Sequence, residues 1–307
     1  MHLRTSVHVK LVYFGTPQMA VEPLRALYAA GHEILLVVSR ADARRGRGSA
    51  VSASPVKAAA IELGLAVTED PEEVLEVSAD LGVVVAYGRI ITPALLEHLP
   101  MVNLHFSLLP RWRGAAPVER ALLAGDRETG VCVMAVEEGL DTGAVFARTS
   151  CAIDDTVTAE DLRAQLASAG TDLLIETLGR VLGAPEPQSH EGVTYARKLT
   201  AEDHRLDWDR SSVELMRIIR LGGARTTFRG GSFKVLAADI VTDDAASTDH
   251  GSPEVVSAPP GTFVGASTVA TGDGQLRLLR VQPEGKSAMD AAAWANGARP
   301  LGDGLGG

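Results

Sequence analysis

The chain has 307 residues, 46% hydrophobic and 22% charged, a globular balance that excludes wholesale disorder and suits about two domains. Its 29 basic and 39 acidic side chains leave a net charge of -10, which excludes a protein that coats nucleic acid through overall charge. Aromatic residues, at 4%, are too sparse for a platform that stacks single-stranded bases, and two cysteines, Cys132 and Cys151, are too few for a zinc site or a disulfide framework.

The N-terminal MHLRTSVHVK has no apolar core of signal-peptide length. KLVYFG is a short apolar run closed by Gly15. TPQMAVEPLRALYAAG then places apolar residues at helical spacing, with Gly31 as a stop signal. HEILLVVSR follows as a second strand, so the unit predicts a parallel pair joined by a right-handed crossover. SASPVKAAAIELG predicts a helix and LAVTE a short strand. LGVVVAYG is charge-free and rich in β-branched residues, as a buried central parallel strand requires. MVNLHFSLL is the next predicted strand. A helix is predicted from Asp161 to Gly183, stopped by Pro185 and Pro187.

Beyond a connector over 188–205 the pattern changes. SSVELMRIIRLG predicts one more helix. GSFKVLAADIV, GTFVGASTVATG and GQLRLLRVQ are strand-like pieces separated by turn residues, which points to a small antiparallel barrel or sandwich. Thr242 to Gly261 is polar and is expected as a mobile loop. The fold class expected is α/β: a Rossmann-like, mostly parallel sheet domain over 1–187, a linker over 188–205 and a small β domain over 206–307. The longest charge-free run, Val255 to Gly272, holds Pro259-Pro260 and several glycines, so no transmembrane helix is expected. The two cysteines are then buried free thiols in a reducing compartment, and the expected location is the cytoplasm.

Residues 1–187 carry 16 basic and 24 acidic side chains, against 13 and 15 in residues 188–307, so acidity concentrates on the first domain. Against that background Arg40, Arg44, Arg45 and Arg47 cluster, with Gly46 and Gly48 among them. The segment is either a solvated basic loop or a phosphate-contacting arm, since arginine suits bidentate phosphate contact.

The most informative stretch runs from Val102 to Pro110. On a strand, Asn103, His105 and Ser107 share one face, and Val102, Leu104 and Phe106 the other. Three polar side chains in register contradict the apolar pattern of a buried parallel strand, at an end where open α/β sheets bind ligands. Asparagine offers a neutral donor to an oxyanion, and histidine moves protons near neutrality. A carboxylate is wanted to orient the imidazole. Asp141, between glycines in EEGLDTG, is the best candidate, with Glu137 and Glu138 as alternatives that are otherwise surface charges. Nucleophile-elbow, HExxH and Walker A sequences are all absent, which favours acyl transfer without a covalent enzyme intermediate. Phe14-Gly15-Thr16-Pro17 has one glycine where a dinucleotide fold keeps three, so it predicts a tight strand–helix turn whose helix N-terminus can face an anion.

NLHFSLLPRWRGAAPVERALLAGDRETGV followed by EEGLDTG resembles the folate-dependent formyltransferases. The similarity extends over almost the whole chain, through FGTP, GRG and SPVK around 46–57, VVVAYG at 83–88, VTYARKLTAEDHRLDW at 193–208 and QPEGKSAM at 282–289. RWRGAAP and the second-half segments point to members that act on a charged tRNA. The resemblance implies transfer of a formyl group from 10-formyltetrahydrofolate, a co-substrate, to the α-amine of initiator methionyl-tRNA for translation initiation. It implies that Asn103, His105 and Asp141 are catalytic and that Ser107, Leu108, Leu109 and Pro110 lie against the tetrahydrofolate. It also implies that Arg47, with Arg44 and Arg45, meets the tRNA, and that a C-terminal OB-like barrel helps to hold the acceptor arm. Metal, nucleotide cofactor, membrane and obligate protein partner are not implied.

Two departures stand out: Ala43 in ADARRGRG occupies an arginine position of the family loop, and LGGARTTFRGG lacks the proline- and tryptophan-bearing stretch expected early in the barrel. The rivals are the same chemistry on a small amine such as a nucleotide sugar or purine precursor, formyl-folate hydrolysis, and a non-catalytic RNA-binding α/β protein. The intact Asn103, His105 and Asp141 weigh against the last. The missing glycine fingerprint weighs against a dehydrogenase.

Overall fold

The computed structural model describes residues 8–44, 51–180, 182–242 and 258–306, and within them the apolar runs become the centre of a seven-stranded sheet. The first half supplies β1 (Lys10–Gly15), α1 (Val21–Ala29), β2 (Glu33–Val38), β3 (Ala43–Arg44), β4 (Val51–Ser52), α2 (Pro55–Glu62), β5 (Val67–Thr68) and β6 (Leu81–Val85). It continues with α3 (Pro93–His98), β7 (Met101–His105), β8 (Arg113–Gly114), α4 (Pro117–Ala124), β9 (Glu128–Ala135), β10 (Val145–Ala152), α5 (Ala159–Leu178) and β11 (Tyr195–Ala196). The large sheet has the order β10-β9-β7-β6-β1-β2-β5, and β9 runs antiparallel to both its neighbours while the other pairings are parallel. Leu11, Val12, Tyr13 and Phe14 of β1 are wholly buried, which explains an unbroken apolar run where a half-exposed strand would alternate. Full burial of such a side chain is worth ~1.5–3 kcal/mol. α2 starts where Ser54 accepts the Lys57 N–H at 3.0 Å and Pro55 supplies a first residue that needs no donor.

Three details depart from the pattern-based expectation. β7 stops at His105, four residues before the end of its apolar run, and Ser107 lies in the turn that follows. α5 ends at Leu178, five residues short of the expected Gly183, with the Gly179 N–H making its last bond to the Ile175 carbonyl at 2.9 Å. β10 forms an antiparallel pair with β9, and its Cys151 is only half-buried whereas Cys132 is fully buried.

The second half supplies α6 (Ser212–Arg220), β12 (Ala224–Phe228), β13 (Gly231–Ile240), β14 (Thr268–Ala270), β15 (Gln275–Pro283), β16 (Met289–Asp290) and α7 (Ala291–Ala298). The strands form an antiparallel sheet in the order β12-β13-β15-β14, with β16 also on β15. Its core gathers Trp208, Leu215, Ile218, Ile219, Phe233 and Phe263, and Trp294 of α7 meets Phe228 edge-on at 5.0 Å. Of the polar stretch from Thr242 to Gly261, residues 243–257 lie outside the described residues. The chain divides into two compact units. One holds residues up to Arg120, Arg127–Ile153 and Asp161–Lys198; the other holds Ala121–Asp126, Asp154–Glu160 and the chain from Leu199 onward.

α6 opens on a capping box: Ser211 Oγ accepts the Glu214 N–H, and the Glu214 carboxylate accepts the Ser211 N–H at 3.2 Å. Hydrogen bonds from the Ser211 hydroxyl and then its N–H hold the Glu214 carboxyl below its ordinary range. A lowered carboxyl stabilises the fold above the pH at which an unfolded glutamate titrates, and that contribution is lost as pH falls through the folded value. Ser211→Ala should therefore cost ~1 kcal/mol at neutral pH, with the gap to the parent narrowing in acid. Urea unfolding followed through tryptophan fluorescence at both pH values measures it, and a gap that widens in acid contradicts the assignment.

Candidate active site

β7 lies between β6 and β9, with Val84 opposite Asn103 on one side and Cys132 opposite His105 on the other. Alternation puts Asn103 and His105 on one face and the buried Val102 and Leu104 on the other. Asn103 is half-buried, and its carboxamide makes no hydrogen bond among the described residues. His105 is only 5% exposed. Its Nε2 lies 2.9 Å from the Trp112 carbonyl and its Nδ1 3.6 Å from Asp141 Oδ2. A carbonyl accepts only from N–H, so Nε2 carries a hydrogen. Nδ1 is then the basic nitrogen of the neutral ring, and a proton arriving there meets a carboxylate.

Backbone geometry aims both partners. Trp112 has a left-handed φ of 63°, which is uncommon for a bulky residue. Its N–H donates to Thr194 Oγ1 at 2.8 Å, and the Arg111 guanidinium stacks over its indole at 4.4 Å. Asp141 is also left-handed, at φ 51°, and its Oδ2 accepts the Gly114 N–H at 2.7 Å. Gly114 needs to be glycine twice over. Its φ is +120°, and a Cβ there would stand 2.8 Å from the Ala196 carbonyl oxygen across the β8–β11 pairing. Glu137 and Glu138 are exposed, so of the three acidic candidates Asp141 is the one brought to His105.

The other expected site residues divide. Ser107 is fully buried, its hydroxyl donating to the Arg111 carbonyl at 2.5 Å, and Leu109 is 4% exposed. Leu108 and Pro110 are half-buried, so these two keep side-chain surface for a ligand. Arg44 belongs to β3, where its backbone pairs with Val51 of β4, while Arg45 and Arg47 lie outside the described residues. Close by, Lys57 Nζ bridges Asp42 at 2.8 Å and Glu69 at 2.7 Å, and hydrogen bonds to Asp42 and then Glu69 raise its pKa. No cluster of three or more His, Cys, Asp or Glu suited to a metal occurs among the described residues. Trp112, Gly114 and Thr194 are the site's additions to the residues expected from sequence. Their signal was a charged, glycine-bearing RWRG motif immediately after the polar strand and a threonine in VTYARK.

A family profile described as "Formyl transferase" matches residues 9–178, and one described as "Formyl transferase, C-terminal domain" matches residues 198–299. The methionyl-tRNA formyltransferase of Symbiobacterium thermophilum is 43% identical over 94% of this chain and 92% of its own length. That of Methylobacterium sp. (strain 4-46) is 44% identical over 95% of this chain and 97% of its own. Among solved structures, an N-formyltransferase from Helicobacter canadensis in complex with folinic acid and dTDP-3-aminofucose shares the fold. Its TM-score is 0.65 at 19% identity, over 90% of this chain and 99% of that one.

Gly114→Ala tests the aim of Asp141. The strained backbone should cost ~1–3 kcal/mol of stability. Because the N–H that fixes the carboxylate moves with it, turnover should fall by on the order of 10²-fold, the effect of a ~1 Å misplacement. Thermal unfolding and steady-state kinetics on the same preparation measure both. Normal turnover in the folded variant would remove Gly114 from the site.

Proposed function

Because the chain belongs to the formyl transferase family, we propose that it transfers the formyl group of 10-formyltetrahydrofolate to the α-amine of methionyl-tRNA, the charged initiator of translation. The observation that carries the reading is the Asn103 carboxamide, without a hydrogen bond among the described residues, beside a buried His105 whose basic nitrogen faces Asp141. Identity above 40% to relatives of that name, through both units, supports the tRNA as acceptor.

The α-amine attacks the formyl carbon, forming the new C–N bond and a tetrahedral oxyanion. Asn103 donates its amide N–H to that oxygen, a contact typically worth ~10²–10³-fold. His105 takes the amine proton on Nδ1 and delivers it to N10 as the C–N10 bond breaks, which is typically worth ~10²–10⁴-fold. Asp141 stabilises the imidazolium formed in between. The free tetrahydrofolate leaves with the proton and the formyl group stays on the amine, so atoms and charge balance.

On this reading Ser107 to Pro110 form the wall against the tetrahydrofolate, with Leu108 and Pro110 supplying side chains and Ser107 and Leu109 supplying main chain. Arg44, Arg45 and Arg47 meet tRNA phosphates. The second unit, an antiparallel sheet as the family's C-terminal domain implies, shares the grip on the tRNA. No described helix is long and apolar enough to cross a membrane. The reaction belongs where initiator tRNA is charged, in the cytoplasm.

The deciding experiment incubates the protein with 10-formyltetrahydrofolate and charged methionyl-tRNA and assays formyl-methionine after mild base hydrolysis. Free formate alone, or a formylated sugar when an amino sugar nucleotide is offered, would overturn the reading. His105→Ala and Asn103→Ala should each reduce kcat by ~10²–10⁴-fold with folate affinity little changed. Asp141→Asn should behave alike, since an amide brings no charge to the imidazolium. Replacing Arg44, Arg45 and Arg47 together by alanine should raise KM for methionyl-tRNA, flatten its salt dependence and leave KM for the folate unchanged. Kinetics at two salt concentrations measure this. A variant that loses folate affinity instead would assign the arginines elsewhere.

A further inference from the structure

The segment that follows α5 does more than join two units. It is stitched along the first unit at several points: Glu186 bridges Val145, Thr194 holds Trp112, and β11 pairs with β8. Within it Gln188, half-buried, uses its whole carboxamide. Nε2 donates to the carbonyls of Asp141 and Gly143, both at 2.8 Å. Oε1 accepts from Arg113 Nε at 3.1 Å and Nη2 at 2.7 Å. Guanidinium nitrogens only donate and main-chain carbonyls only accept, so the amide has one possible orientation, and a glutamate carboxylate would set oxygen against oxygen.

The topology gives that carboxamide its importance. β9 is antiparallel to β7, with Ala135 opposite Val102 and Cys132 opposite His105. The loop over 136–144 therefore leaves the sheet at the Val102 end of β7 and folds back for Asp141 to reach His105. At Gly143 a Cβ would overlap the Ala135 carbonyl, so that side of the loop is pressed against the end of β9. On the His105 side, the Asp141 carboxylate is held by Gly114, the residue after Arg113. One amide thus ties the main chain of Asp141 to the residue next to its donor.

We propose that Gln188 is a positioning residue for formyl transfer: it sets Asp141 against His105 by locking the 136–144 loop to the Arg113–Gly114 strand. The inference rests on the reading of His105 and Asp141 as catalytic groups. At 3.6 Å the two groups are already beyond hydrogen-bond distance, so a further displacement of ~1 Å would uncouple them, and a misplacement of that size can cost on the order of 10²-fold in rate.

Gln188→Met keeps the length of the side chain and removes all four hydrogen bonds. It should reduce kcat by about 10- to 100-fold while KM for both substrates stays within about threefold, because all four hydrogen bonds of Gln188 go to Asp141, Gly143 and Arg113 and its effect passes through Asp141. Gln188→Glu should fail to restore kcat. In an Asp141→Asn background, Gln188→Met should have almost no further effect, since it acts through the residue already disabled. Glu186→Ala, which breaks only the exposed pair with Arg148 in the same segment, serves as the control and should leave kcat unchanged. A folded Gln188→Met with kcat within about twofold of the parent overturns the inference, as does a loss that adds fully to that of Asp141→Asn. Where Gln188→Met does not fold, Gln188→Glu is judged by the same two criteria. His105→Ala, run alongside, separates the cases: if it keeps full kcat, the underlying reading fails instead.

Discussion

A buried imidazole whose Nε2–H needs an acceptor, and whose Nδ1 faces a carboxylate, is the demand around which the first unit is arranged. Burial makes an unaccepted ring N–H costly and a charged ring costlier still, so a histidine only 5% exposed is served by a carbonyl at Nε2 and a carboxylate near Nδ1. Neither neighbour comes from the strand that carries it. The Trp112 carbonyl arrives on a left-handed residue, which depends on Thr194 and on the stacked Arg111. The Asp141 carboxylate arrives on a loop that has doubled back from the far end of the adjacent antiparallel strand. Two left-handed non-glycine residues thus meet at one histidine, next to the β8–β11 pairing.

This arrangement also reconciles an acidic body with a polyanionic substrate. A net charge of -10 repels a tRNA at long range, but at physiological salt the field of any one cluster decays over ~8 Å. What matters is which charges are already committed. Lys57, beside the arginine-rich segment, is neutralised by Asp42 and Glu69, so it anchors the chain where that segment begins and adds no free positive charge.

How much of this was legible in the sequence follows from which interactions are local. β1, β6 and α6 were legible because period and composition are local properties: an unbroken apolar run, or the helical pattern of SSVELMRIIRLG. Asn103 and His105 were legible as polar residues where a buried strand should have none. Asp141 stood out by its flanking glycines. The end of β7 was not legible, because the apolar Phe106, Leu108 and Leu109 continue the hydrophobic pattern after the backbone has turned. Gly114, Thr194 and Gln188 escaped for a different reason. They act through main-chain groups or across 27 to 82 residues of sequence, and no spacing rule encodes such contacts.

The surroundings of His105 also bear on the expectation of acyl transfer without a covalent enzyme intermediate. Two potential nucleophiles lie beside it, and both are disarmed. Cys132 is opposite His105 in the sheet, but it is wholly buried, and burial pushes its thiol up, away from the thiolate that would attack. Ser107 is two residues along the chain, yet its hydroxyl is buried and its proton is committed to the Arg111 carbonyl. An acyl-enzyme would need one of these groups exposed and facing a base. The open group on the same strand face is the Asn103 carboxamide, which can stabilise an oxyanion but cannot accept an acyl group. Among the described residues, neither of these two groups is placed to form an acyl-enzyme.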